Sequence, residues 1–187
     1  DLKRIAVFCG SSMGFNEDYK NGATALGKHL AQAGIGMVYG GGKIGLMGVI
    51  ADSVIAHQGE VIGVIPGLLR HEEVAHDNLE RMIVTRKMSK RKVKISKLVD
   101  GYIALPGGFG TLDEIFEALT LGQLGIESKP VGLLNVRNYF DHSLKQLDHM
   151  VREGFLSKEN RDMLLVGDSC EELLQKIQDF FAARGLP

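Results

Sequence analysis

Seven short apolar runs, recurring among six stretches with helical spacing, constrain this chain more than any other feature. The runs Arg4 to Cys9, Gly36 to Tyr39, Val61 to Ile65, Met82 to Val84, Tyr102 to Leu105, Val131 to Asn135 and Leu164 to Val166 read as β-strands. Most are continuously apolar rather than alternating, as expected of parallel strands covered on both faces. Between them, Glu17 to Ala33, Leu46 to His57, Met88 to Val99, Thr111 to Leu124, Tyr139 to Glu153 and Cys170 to Ala183 read as amphipathic helices. Strands alternating with helices from end to end predict βαβ units with right-handed crossovers. The expected fold is therefore α/β, a doubly wound parallel sheet flanked by helices on both faces. In such sheets ligands bind beyond the carboxyl ends of the strands.

The 187 residues fit one domain spanning 1–187. Lys plus Arg number 22 and Asp plus Glu 23, for a net charge of -1. That balance argues against a general electrostatic attraction to nucleic acid or to an anionic membrane. No apolar run approaches the roughly 18 residues of a membrane span, and the opening DLKRIAVFCG reads as a strand rather than a signal peptide. Cys9 and Cys170 have no metal-ligand spacing and fit a reducing cytoplasm. The unusual number is glycine, at 24 residues of 187, nearly twice the usual share of about 7%. Without a collagen period, that excess implies tight backbone turns.

Many of these glycines fall where the predicted strands end. Gly10-Ser11-Ser12, Gly40-Gly41-Gly42-Lys43-Ile44-Gly45 and Pro106-Gly107-Gly108-Phe109-Gly110-Thr111 each lead from a strand towards a helix. Amides at a helix N-terminus, with the positive end of its dipole, suit a phosphate. The bland alternative is that glycine simply permits a tight turn. Gly40, Gly42 and Gly45 spell GxGxxG, but the loop follows the second strand and the next strand ends in Val64-Ile65-Pro66, without an acid for a ribose hydroxyl. An NAD site is thereby disfavoured. Lys43 lacks the flanking residues of a P-loop, and His71 and His76 are five apart, not the four of a zincin helix. His71 to His76 reads instead as part of a solvated acidic flap within the irregular segment Gly67 to Glu80, and no metal site is expected.

Two residues remain ambiguous on local grounds. Arg91, in a basic helix whose buried stripe is expected to be Met88, Ile95 and Val99, either belongs to a solvated face or borders the apolar face, where its fork could hold a phosphate or ribose. Glu114 closes a capping-box pattern with Thr111 as N-cap. It also stands in the first turn after a phosphate-type loop, poised to meet a sugar.

The segment Pro106-Gly107-Gly108-Phe109-Gly110-Thr111-Leu112-Asp113-Glu114 resembles the PGGxGTxxE motif of the Lonely Guy family, the cytokinin riboside 5'-monophosphate phosphoribohydrolases formerly labelled possible lysine decarboxylases. Gly45-Leu46-Met47-Gly48, Gln123-Leu124-Gly125-Ile126 and Lys129-Pro130-Val131-Gly132 extend the similarity along nearly the whole chain. The resemblance implies a Rossmann-like nucleotide-binding fold, a homodimer, no metal or redox cofactor, and cleavage of a nucleoside 5'-monophosphate into free base and ribose 5-phosphate. It casts Arg91 and Glu114 as catalytic. The nucleotide would be held by Gly107, Gly108, Phe109, Gly110, Thr111, Leu112 and Asp113, with Lys92, Glu73, Thr120, Ser11 and Gly42 completing the contacts. Two positions depart from the family pattern, Ser89 replacing a histidine and Leu121 a tryptophan. They bear on which base is accepted. The alternative is a non-catalytic nucleotide or molybdenum-cofactor carrier of related fold. Lysine decarboxylation is disfavoured, since it needs an electron sink such as PLP and no lysine stands out as its partner.

Overall fold

In a computed structural model that describes residues 2–71 and 74–183, the chain forms one seven-stranded sheet in the order β4-β3-β2-β1-β5-β6-β7. The strands are β1 (Arg4–Phe8), β2 (Gly36–Tyr39), β3 (Val61–Pro66), β4 (Arg81–Thr85), β5 (Gly101–Ala104), β6 (Val131–Leu134) and β7 (Leu164–Gly167), each within about a residue of its predicted position. Every pairing is parallel. The order runs outward in both directions from β1, so the chain changes sides between β1 and β5, which pair from Ile5↔Gly101 to Phe8↔Ala104. That switch point leaves a crevice at the carboxyl ends of these two strands.

The helices are α1 (Glu17–Gln32), α2 (Gly45–Ala56), α3 (Met88–Leu98), α4 (Phe109–Gln123), α5 (Asp141–Arg152), α6 (Lys158–Arg161) and α7 (Cys170–Ala183). Alternation along each strand sorts them into two layers. Ile5 and Val7 face Leu26, Ile50 and Leu173 of α1, α2 and α7, whereas Ala6 and Phe8 face Ile95, Ile115 and Leu147 of α3, α4 and α5. Both faces of the sheet are thus dry, which is why its strands are almost entirely apolar. Among the described residues, no helix is long and apolar enough to cross a membrane.

Most described residues of the segment between β3 and β4 are exposed, but it is anchored at one point. After a 3-10 turn at Gly67–Leu69, it folds back onto the loop following β2, with a bridge between Gly42 and Ala75 and a bond from the His76 amide to the Gly41 carbonyl at 2.9 Å. The His76 ring is buried and its Nε2 lies 2.7 Å from Asp52 Oδ1. The Asn78 amide donates to Nδ1 at 3.1 Å, so Nε2 carries the proton and donates to the carboxylate. The segment is largely solvated as expected, but His76 is its buried exception and pins it to α2.

Candidate active site

Helix α4 begins earlier than its capping-box pattern suggests. Its N-cap is Gly108, which has no side chain to occupy the terminal amides, and the first intrahelical bond runs from the Leu112 amide to the Gly108 carbonyl at 3.2 Å. The amides of Phe109, Gly110 and Thr111 precede that bond and form the positive end of the helix. Thr111 is therefore a buried residue of the first turn rather than its cap, and Glu114 has no capping role. Loop geometry explains the shift: the turn after Pro106 already has helical entry at Gly108, so the hydroxyl of Thr111 packs beneath Gly107 instead.

Helix α3 differs from its pattern in a more telling way. Its buried residues are Arg91 and Ile95, with Val99 following at its end, whereas Met88 is exposed. A guanidinium that is 3% exposed therefore takes the core position assigned to methionine. Its Nη2 donates to the Gly40 carbonyl at 2.9 Å, and its Nη1 lies 3.7 Å from Met88 Sδ. Gly40 is where the backbone makes room, because a Cβ there would overlap Arg91 Nη2. Burying a cation costs several kcal/mol unless it is well paired, and the bond to the Gly40 carbonyl, with the space left by the missing Cβ, accommodates this one.

Arg91 and Glu114 line one cavity of about 240 Å³ at the switch point, together with Gly10, Ser11, Gly108 and Gly110. A second and larger cavity, about 470 Å³, lies between α3 and α4 with Phe8 and Tyr102 on its sheet side. Phe8, Met88 and Glu114 line both. Glu114 thus stands where a glycine-walled cavity that contains Arg91 meets a mainly apolar one.

Cys9 also lines the smaller cavity, but burial, and secondarily the charge of Glu114, drive its thiol well above the ordinary value of 9.0. It is not a thiolate nucleophile. Lys92 reaches Asp113 Oδ2 at 2.7 Å and Glu117 Oε2 at 3.0 Å. Its pKa is raised, chiefly by the hydrogen bond to Asp113, which offsets its partial burial. Lys92 and Glu117 line the larger cavity, so this ion cluster borders one side of it.

The remaining sequence-assigned contacts divide. Ser11, Gly108, Phe109, Gly110 and Thr111 line the smaller cavity. Gly107 borders a separate cavity of about 340 Å³ beside Tyr139. Three others lie elsewhere. Leu112 packs into the core with α3 and α5 because it points inward from the first turn. Gly42 is buried, and its carbonyl accepts the Tyr39 hydroxyl at 2.8 Å. Thr120 is exposed, with its hydroxyl donated back to the Phe116 carbonyl of its own helix at 2.7 Å. Glu73 lies outside the described residues. Of the GxGxxG glycines, Gly40 serves Arg91, and Gly45 accommodates the close backbone of Ser11. Among the described residues, no group of three His, Cys, Asp or Glu side chains could hold a metal ion.

Two residues with no site role assigned from the sequence close the larger cavity at its far end, backed by Glu127 and Lys129. Tyr102 and Ser96 line it, and both hydroxyls donate to Glu127, Tyr102 to Oε2 at 2.7 Å and Ser96 to Oε1. Lys129 Nζ lies 3.3 Å from Glu127 Oε1 and donates to the Ser96 carbonyl at 2.6 Å. Burial acts to raise the Glu127 pKa, but these hydrogen bonds and the Lys129 charge outweigh it and hold the carboxyl below its ordinary value. Tyr102 is pushed up, first by burial and also by the Glu127 carboxylate, and keeps its proton. The only sequence signal was polar residues on apolar-patterned elements, and it does not reveal that they meet.

Residues 47–177 match the family described as possible lysine decarboxylase. The chain is 45% identical over 179 residues to a cytokinin riboside 5'-monophosphate phosphoribohydrolase of Arabidopsis thaliana, covering 96% of this chain and 84% of that protein. It is 42% identical over 179 residues to the enzyme of the same description from Oryza sativa subsp. japonica, covering 96% and 74%. Among solved structures, the molybdenum cofactor carrier protein of Chlamydomonas reinhardtii superposes with a TM-score of 0.72 over 97% of this chain and 99% of that one, at 20% identity. At that identity the likeness shows the fold alone.

Proposed function

The chain belongs to the Lonely Guy family, described as possible lysine decarboxylases, and on that premise we propose that it hydrolyses the N-glycosidic bond of a purine nucleoside 5'-monophosphate, with N6-modified adenine as the base. The products are free base and ribose 5-phosphate. The observation that carries this reading is the position of Glu114 on the lining shared by the two cavities. A nucleotide has a polar phosphoribosyl half and a flat, largely apolar base, joined at the anomeric carbon. Laid across the two cavities, it brings that carbon to Glu114.

The chemistry follows from charge. Departure of the base leaves positive charge on the ribose ring, and an ionised carboxylate beside it stabilises the oxocarbenium-like transition state. The same carboxylate can take a proton from the attacking water. The amides at the start of α4 receive the 5'-phosphate at the positive end of the helix. Arg91, held by Gly40, offers a rigid fork to the phosphoribosyl group. A single carboxylate suffices where the leaving group, a purine, has ring nitrogens to accept a proton. None of these steps calls on a cofactor.

Ser11, Phe109 and Thr111 belong to the phosphoribosyl side in this reading, while Asp113 acts through Lys92. Residues 1–187 act as one nucleotide-binding domain in the cytoplasm, with no part for nucleic acid or membrane. Two copies pair through the outward surface of α3 and α4. A molybdenum-cofactor carrier would need the loops but not the pairing of Arg91 with Glu114, and likeness of fold is all that favours it. Glu114→Gln separates the two. Base release from AMP or N6-isopentenyl-AMP, followed by chromatography, should fall at least about 100-fold, with nucleotide binding retained. Wild-type turnover by that variant, or no base release by the unaltered protein, would overturn the reading.

A further inference from the structure

The base cavity is mainly apolar apart from the Lys92 and Glu117 flank and the Glu114 junction, its far end is polar, and the protons of the hydroxyls there are committed. Helix α3 carries lining residues from Met88 to Ser96, a span of about 12 Å at about 1.5 Å per residue. The cavity therefore extends well beyond the Glu114 junction before it meets Ser96 and Tyr102. Each of these hydroxyls has one proton, and both protons are given to Glu127, whose side chain is 13% exposed. Lys129 stands behind, balancing the carboxylate charge and fixing the Ser96 backbone. The two hydroxyls also bond to each other; with their protons engaged inward, the lone pairs that remain accept towards the cavity. A ligand group that donates a hydrogen bond is matched there. An apolar group reaching the same wall strips water from those oxygens and returns nothing.

Resting on the nucleotide reading above, we propose that Ser96 and Tyr102, oriented by Glu127 and Lys129, form a specificity wall that selects bases carrying a hydrogen-bond donor at the tip of the N6 substituent. The partner is an N6-alkylated adenosine 5'-monophosphate whose alkyl chain ends in a hydroxyl rather than a methyl. Ser96 and Tyr102 bind; Glu127 and Lys129 are positioning residues.

The test compares N6-isopentenyl-AMP with its terminally hydroxylated counterpart. The unaltered protein should favour the hydroxylated substrate by about fivefold to tenfold in kcat/KM, the size of one net hydrogen bond, with the difference carried by KM. Ser96→Ala and Tyr102→Phe should each bring the ratio towards one. Glu127→Gln should narrow it as well, because the amide leaves one hydroxyl proton free to turn into the cavity. A purely structural contribution would slow both substrates in parallel and leave the ratio standing, which would overturn the proposal, as would an unaltered protein without preference. Calorimetric binding of the two nucleotides to Glu114→Gln makes the wall testable apart from hydrolysis. A binding preference abolished by adding Tyr102→Phe supports the wall even if no base is released, and equal or absent binding of the two refutes it.

Discussion

Arg91 and Gly40 form a pair in which one residue's missing side chain is the other's seat. An alanine at 40 would place a methyl group on the guanidinium, and the flexible end of Arg91 is the part able to move. Gly40→Ala should therefore keep the fold but displace the charge, lowering kcat by about 100-fold or more with little change in Tm. Gly110 gives the opposite case: a Cβ there meets nothing within 4 Å, and the residue lies at the start of α4 facing the smaller cavity. Gly110→Ala should hold or raise Tm by favouring the helix while raising KM for the nucleotide. Steady-state kinetics with thermal melts on both variants check the pair. A cooperative melt tens of degrees lower for Gly40→Ala would show that the glycine serves packing alone.

At the scale of elements, the Glu127 cluster joins α3 through Ser96, β5 through Tyr102 and the segment before β6 through Lys129. Because the folded state lowers the pKa of Glu127 below the ordinary 4.5, the unfolded chain binds its proton more readily. The stabilisation is then full above 4.5 and is lost as pH falls through the lower, folded-state value. Denaturant melts between pH roughly 5 and 3 should show a shallower loss of stability for Glu127→Gln than for the unaltered protein. Identical slopes would mean that the cluster adds nothing to acid stability. The elements themselves were legible in the sequence: all seven strands and the six long helices stand within about two residues of their predicted spans. Continuous apolar runs and helical spacing are local signals. The start of α4 was less legible, because Thr111 and Glu114 satisfy a capping pattern that the geometry of Gly108 pre-empts. Likewise, Met88 looked like the core residue of α3, since nothing local reveals a carbonyl on β2 waiting for Arg91.

For the whole molecule, the proposed pairing of two copies places the outward side of α3 and α4 at the contact. Val93 on α3 is 50% exposed, and Leu124 and Ile126, just after α4, are 63% and 66% exposed. Apolar side chains set around a binding cleft mark an interaction surface, and pairing two copies there would cover the open side of the base cavity. Sedimentation should give twice the 20.4 kDa chain mass. Leu124→Asp combined with Ile126→Asp should shift the protein towards monomer and raise KM for the N6-modified substrate. A monomer at all concentrations in the unaltered protein would refute the pairing.

The parallel α/β sheet, the glycine turns at strand ends and the family motif from Pro106 to Glu114 are all written in neighbouring residues and can be read from the chain without its fold. Only the tertiary structure decided which glycines face a cavity and which face packing, and that Gly42, Leu112 and Thr120 stand away from the site. It also brought Ser96, Tyr102, Glu127 and Lys129 together and placed Glu114 between a glycine-walled cavity and a mainly apolar one. Those outcomes depend on residues distant along the chain, carried together by strand pairing and by the crossing of α3 over the sheet, and no local pattern encodes such a meeting.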